Sequence, residues 1–222
     1  MYDDEFELTF DLSDEDKASR APEPEQEPVQ EAAPEPAAET EPPVEAVPEP
    51  AVPAANGRCV LISGGDRGIG AAAARAFWQA GYRVAVLYHT HAEAAAALEK
   101  ELPGLLAVQC DVASRASCEV AFHTVEQAVG HVDVLVSNAG IAQQKLFTDI
   151  TPEEWQHMLD VNLSGAFHLC QLALPGMIRR KAGRILTVSS MWGQTGGSCE
   201  VHYSAAKAGL IGPVSYTHLT LP

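Results

Sequence analysis

From residue 58 to residue 190, short apolar runs alternate with longer stretches whose apolar residues recur every three or four positions. RCVLIS (58–63), YRVAVLY (82–88), LLAVQCDV (105–112), VDVLVSNAG (132–140) and RILTVSS (184–190) are rich in Val, Leu and Ile and short. Runs of that kind predict strands, five in all. Between them IGAAAARAFWQAG (69–81), HAEAAAALEKEL (91–102), SCEVAFHTVEQAVG (117–130) and a long stretch over about 151–180 predict helices. Gly81 is placed to end the first helix, and Thr151 with Glu154 makes a capping-box pair around Pro152 at the first helical position. Apolar strands joined by crossover helices imply a parallel sheet covered on both faces, hence a doubly wound α/β domain.

Residues 1–56 break this pattern. They hold 10 of the 15 prolines and 17 acidic residues against Lys17 and Arg20, so the net charge of -16 belongs almost wholly to them. Such a segment buries little apolar surface and interrupts its own helices, which predicts a disordered acidic tail. Within it YDDEFELTFDL alternates acidic and apolar residues, as either a short docking motif for an unknown partner or a solvated terminus does. The start has no basic and apolar leader pattern, and no run is long enough to span a bilayer, so a cytoplasmic protein is expected.

Five scattered cysteines and eight histidines lack the spacing of a disulfide framework or a metal site. Packed thiols and no metal are expected. The near-neutral remainder of the chain carries no basic patch that would suggest nucleic acid.

SGGDRGIG, residues 63–70, lies between the first strand and its helix. Gly64, Gly68 and Gly70 let the backbone turn sharply and approach a pyrophosphate, and the helix N-terminus offers free N–H groups to it. An NAD site usually has an acid at the end of the second strand for the ribose hydroxyls. Here that end reads Tyr88-His89-Thr90, while Arg67 sits in the glycine loop. A guanidinium in place of a carboxylate favours a 2′-phosphate, hence NADPH over NADH.

Ser190, Tyr203 and Lys207 fit the other half of such a reaction. Hydride arriving at a carbonyl carbon leaves charge on the oxygen, which needs a proton donor and a hydrogen-bond partner. Tyr203 is the candidate acid. Lys207, one helical turn on, would stabilise its phenolate, and the Ser190 hydroxyl would position the carbonyl.

In this order the motifs resemble the short-chain dehydrogenase/reductase family, most closely its 3-oxoacyl-acyl-carrier-protein reductase branch. The family's T-G-x-x-x-G-x-G loop matches Ser63, Gly64, Gly68, Ile69 and Gly70, with serine for threonine. The resemblance implies a Rossmann-type fold in which Asp111 and Val112 meet the adenine. It also implies that Asn138, Ala139 and Gly140 form the loop after the fourth strand, with Ser137 where the family has a first asparagine. Asn162 in DVNLSG is then the active-site asparagine that keeps a helix bent and holds a water relaying protons to the lysine, and Tyr203 and Lys207 also touch the cofactor. A homotetramer is implied as well. The resemblance covers about residues 57–212, read as an incomplete NADP-binding reductase domain.

Trp192 and Glu200 lie in MWGQTGGSCEVH, between the serine and the tyrosine, and are candidate substrate residues. This segment is similar to reductases acting on the 5-aminopentanone group of elongation factor P, and a carboxylate there suits an ammonium-bearing substrate. A 3-oxoacyl chain on acyl carrier protein has no use for it, so both substrates stay open. Residues 213–222 depart from the family pattern. Val214–Pro222 back-translates to a run resembling a transposon-end sequencing adaptor and, with Pro213, is read as adaptor-derived, and Pro213 is expected to break the last helix. A domain truncated after the fifth strand is expected to be inactive and aggregation-prone. A non-catalytic dinucleotide sensor is the alternative of another class.

Overall fold

A computed structural model describes residues 55–216. All but the last two residues of the expected acidic tail, and residues 217–222, lie outside the described residues. In chain order the elements are β1 (Cys59–Ser63), α1 (Gly68–Gln79), β2 (Arg83–Tyr88), α2 (Ala92–Glu101), β3 (Leu106–Gln109), α3 (Arg115–Val129) and β4 (Val134–Ser137). They continue with α4 (Pro152–Leu159), α5 (Gly165–Arg180), β5 (Arg184–Thr187), α6 (Trp192–Thr195) and α7 (Val201–Tyr216). All strand pairs are parallel, in the order β3-β2-β1-β4-β5. This is the five-stranded doubly wound sheet that the strand pattern predicts, of the Rossmann type that the resemblance implies.

The unbroken apolar runs follow from burial on both faces. Val60, Ile62, Val84, Val86, Val134 and Val136 pack with Ala71, Ala74 and Trp78 of α1 and Leu98 of α2. Their alternate neighbours Leu61, Ala85, Leu87 and Leu135 pack with Phe122 and Val125 of α3 and Leu169, Ala173 and Met177 of α5. Successive side chains on a strand point to opposite faces, so every position of β1 and β4 must be apolar or small. The strand order reverses between β1 and β4, and in such sheets ligands bind outside the carboxyl ends at that point.

The stretch expected as one helix over about 151–180 is instead α4 and α5 joined by a π-helical turn, Asp160–Ser164. Asn162 lies in that turn, buried, and its Nδ2 donates to the carbonyls of Met158 (3.1 Å) and Ile141 (3.0 Å). A side chain that takes a main-chain acceptor in the helix competes with the regular ladder and widens it. Apolar periodicity cannot reveal one extra residue in a turn. The capping box forms as expected, with Thr151 Oγ1 accepting from Glu154 N–H (3.2 Å) and Glu154 Oε2 accepting from Thr151 N–H (2.9 Å).

The expected break at Pro213 does not occur. Helix α7 runs on to Tyr216, because a proline removes one N–H rung and several turns before it are already formed. The short helix α6 and a 3₁₀ turn at Phe147–Asp149 carry no periodic signal and were not expected. Among the described residues the cysteines are free, no cluster of three or more metal-binding side chains occurs, and no helix is long and apolar enough to cross a membrane.

Candidate active site

The motif residues gather at the carboxyl ends of the strands. Ser63 closes β1, and its buried hydroxyl accepts from the N–H groups of Asn138 (3.0 Å) and Ala139 (3.1 Å), just beyond β4. The Asn138 side chain answers by donating to the carbonyls of Ser63 (3.0 Å) and Gly64 (2.9 Å). Four hydrogen bonds thus tie the glycine loop to the loop after β4 across the switch point. A serine performs this task as well as the family's threonine, since only the hydroxyl is used.

Gly64 has φ +62°, and a Cβ there would stand 2.9 Å from Ala139 Cα. At Gly70 a Cβ would collide with the Gly64 carbonyl oxygen. The first turn of α1 therefore seats directly against the loop, with Arg67 at the cap position making no side-chain bond to the helix. Its free N–H groups and positive end potential suit a pyrophosphate, so the residues present fit a dinucleotide. Ile69 is 68 % exposed beside them. Gly65, passed over in the motif, is equally constrained: a Cβ would lie 2.6 Å from Val86 Cβ. The adjacent pair Gly64-Gly65 was the signal available for it.

At the end of β2, Arg67 Nη1 lies 2.9 Å from His91 Nε2, and His91 Nδ1 lies 3.1 Å from Thr90 Oγ1. Asp66, which the motif reading omitted, approaches the same ring at 3.9 Å. Arg67 is thus brought to the position where ribose recognition is expected. Beyond β3, Asp111 Oδ1 accepts from Ala113 N–H (3.0 Å) and its own N–H donates to Ser117 Oγ (3.0 Å), which fixes the Asp111-Val112 turn.

The proton-transfer candidates converge from three elements. Lys207 is buried on α7, its Nζ donates to the Val188 carbonyl (2.8 Å), and it lies 5.7 Å from the centre of the Tyr203 ring. Burial holds its pKa below the ordinary lysine value. Gly140 brings the loop after β4 against both other groups, since a Cβ there would be 2.5 Å from Asn162 Oδ1 and 3.4 Å from Lys207 Nζ. Asn162 Oδ1 is buried with no hydrogen-bond partner among the protein groups. Ser190 Oγ accepts from Trp192 N–H (3.2 Å), while its neighbour Ser189, unremarked in the sequence, donates to the Lys207 carbonyl (2.7 Å) and ties the β5 loop to α7.

Of the two candidate substrate residues, Trp192 packs over Gly197, where a Cβ would be 2.9 Å from the indole. Glu200 directly precedes α7, and its Oε1 accepts from Gln144 Nε2 at 3.4 Å. A surface hollow of about 480 Å³ lies by Arg58, Tyr82 and Arg184, at the amino ends of the strands. It is at the opposite end of the sheet from this chemistry.

Residues 58–220 match the family model described as short chain dehydrogenase. The chain belongs to the short-chain dehydrogenase family. Among curated relatives it is 43 % identical over 155 residues to an acetoacetyl-CoA reductase of Rhizobium meliloti, covering 70 % of this chain and 64 % of that protein. It is 40 % identical over 160 residues to the 3-oxoacyl-[acyl-carrier-protein] reductase MabA of Mycobacterium avium, covering 72 % and 60 %. A solved structure titled crystal structure of gox2181 superposes with a TM-score of 0.68 at 31 % identity, over 73 % of this chain and 66 % of that one. This short-chain dehydrogenase chain therefore spans about three fifths of the length of the curated relatives it matches.

One ion pair beside the site sets a pH dependence. Lys145 Nζ donates to both oxygens of Glu154 (2.8 and 2.7 Å), and with the Thr151 N–H and Gln143 it lowers the Glu154 pKa from 4.5 to about 2. A carboxylate whose pKa is depressed on folding stabilises the fold above its unfolded value and loses that effect as pH falls toward its folded value. Glu154→Gln is therefore expected to melt below wild type at pH 7, with the gap narrowing as pH falls below about 4.5 and closing near 2. Melting scans across that range check this. A gap independent of pH would mean that the charge of Glu154 is not what matters.

Proposed function

We propose that this chain is the cofactor-binding and catalytic part of a cytoplasmic, NADPH-dependent reductase that turns the ketone of a 3-oxoacyl thioester into an alcohol. The observation that carries the reading is the buried Lys207 ammonium beside Tyr203, with Gly140 packed against both it and Asn162 at the switch point. A sensor of dinucleotides needs no such proton-transfer set. The names of the two relatives above support the substrate class, and Arg67 supports the 2′-phosphate.

NADPH, when bound, supplies the hydride. The chain's own groups do the rest. The loop at Ser63–Gly70 and the α1 N-terminus hold the pyrophosphate, and Arg67 faces the ribose end. Ser190 donates a hydrogen bond to the substrate carbonyl oxygen, and Tyr203 gives its phenolic proton to that oxygen as charge develops. Lys207 stabilises the phenolate that is left, and the unpartnered Asn162 Oδ1 lies where it can accept a proton-carrying group on the path that restores it.

A second reading is favoured by Glu200. Its carboxylate stands beside Tyr203 in sequence with one long, neutral hydrogen bond, free to pair with an ammonium group such as that of 5-aminopentanone-modified elongation factor P. The test, on an enzyme extended to the length of its relatives, compares NADPH oxidation with acetoacetyl-CoA and with the modified factor, in wild type and in Glu200→Gln, using NADH as the control. Preference for the thioester and for NADPH, untouched by Glu200→Gln, upholds the first reading. Preference for the modified factor, lost in Glu200→Gln, replaces it with the second. Cofactor binding without turnover of either would sink both in favour of a sensor.

A further inference from the structure

Three consecutive residues of the loop after β4 are each bonded to a residue close to Tyr203. His202 Nε2 donates to Gln143 Oε1 (2.9 Å), Gln144 Nε2 donates to Glu200 Oε1 (3.4 Å), and Lys145 N–H donates to the Cys199 carbonyl (2.7 Å). The pairing runs in opposite directions along the two segments, so they lie side by side like the halves of a clasp. The same loop is held a second time. Gln143 Nε2 (2.9 Å) and Lys145 Nζ (2.7 Å) both donate to Glu154 in the first turn of α4.

Two local sacrifices mark this clasp as built. His202 is fully buried, and with its Nε2 proton committed to Gln143 its Nδ1 is left without a partner. Burying half-satisfied imidazole is unfavourable unless the bond it does make is needed. Cys199 adopts φ +58°, the left-handed region that a residue with a Cβ avoids, and it is the carbonyl of Cys199 that Lys145 N–H reaches.

We propose that His202 and Glu154 are positioning residues that hold Gln143–Lys145 as a fixed wall of the substrate cleft. The wall starts at Gly140, against Asn162 and Lys207, and ends at the Gln144–Glu200 pair. The part of the substrate remote from the reacting carbonyl then meets a preset surface, and less ordering is needed when it binds. Neither residue touches the reacting atoms, and both lie apart from the glycine loop, so cofactor affinity does not depend on them. The substrate part of this inference rests on the reductase reading; the clasp itself does not.

The test uses His202→Phe, which keeps a ring and removes the donor, with His202→Gln as the variant that restores an amide N–H. In hydrogen exchange, the Lys145 amide, bonded to the Cys199 carbonyl, is expected to exchange roughly tenfold faster in His202→Phe and to regain protection in His202→Gln. In calorimetry with oxidised NADP present, acetoacetyl-CoA is expected to bind about tenfold more weakly to His202→Phe while NADP affinity holds. Glu154→Gln, at a half-buried site outside the core, is expected to expose the same Lys145 amide and serves if His202→Phe does not fold. Unchanged protection of the Lys145 amide in the folded variants overturns the clasp. Failure of wild type to bind acetoacetyl-CoA, with protection still lost in the variants, upholds the clasp and counts against the thioester reading alone.

Discussion

Replacing Tyr203 by phenylalanine is expected to lower the rate of carbonyl reduction by roughly 10²–10⁴-fold, the range associated with losing a positioned acid. The ring stays, so the fold and the seat of Lys207 stay with it. Only the proton is lost. The expectation depends on the pairing seen here: a phenol is a weak acid near pH 7, and in the proposed mechanism the ammonium 5.7 Å from its ring centre makes the phenolate tolerable. The Lys207 charge is itself strained by burial, which holds its pKa down, and the Val188 carbonyl at 2.8 Å offsets part of that cost. Stopped-flow traces of NADPH oxidation with acetoacetyl-CoA by an enzyme extended to the length of its relatives, alongside a fluorescence titration of NADPH, check this. Turnover in Tyr203→Phe within about threefold of wild type would exclude Tyr203 as the acid, given the size of effect such groups have.

The second large effect is expected at Gly70. An alanine there would place its methyl group inside the Gly64 carbonyl oxygen and 2.8 Å from Asn138 Nδ2. The loop, the start of α1 and the Asn138 staple cannot all keep their places. Overpacking of this kind costs about 1–3 kcal/mol, and it falls on the loop proposed to hold the pyrophosphate. NADPH affinity is expected to drop about 10- to 100-fold, since each factor of ten corresponds to about 1.4 kcal/mol, and the melting temperature to fall. Gly68→Ala is the contrast. No atom stands within 4 Å of a Cβ there, so only the cost of φ +54° applies, about 1–2 kcal/mol for a left-handed residue. Equal affinities for NADPH in wild type and Gly70→Ala would show that the loop is not the cradle.

The strands were legible because β1, β2 and β4 are buried on both faces and so read as continuous apolar runs. The glycine loop was legible because its backbone needs leave only glycine. Thr151 and Glu154 were legible because a cap is a local contract between residues three apart. What escaped was long-range or conformational. Nothing in the spacing of Gln143, Gln144 and Lys145 points to residues 199–202, because the pairing is made by tertiary contact across more than fifty positions. The contact of Arg67 with His91 likewise joins residues 24 apart. Pro213 was read by its usual effect on a helix, and the helix formed before it prevailed.

The wide turn at Asp160–Ser164 has a consequence for how this stretch can change over time. An α-helix advances about 100° per residue, so one residue more or fewer turns everything beyond it by that angle. Downstream of the turn, Leu169, Ala173 and Met177 must face the sheet, and upstream Met158 must stay buried. The turn therefore acts as a phase shifter between two helical segments, with Asn162 at its centre. Substitutions along α4 and α5 can be absorbed one at a time, and loss of one residue between 160 and 164 would let the turn close to a regular α-helical one with the core face of α5 still toward the sheet, at the expense of the seat of the Asn162 side chain.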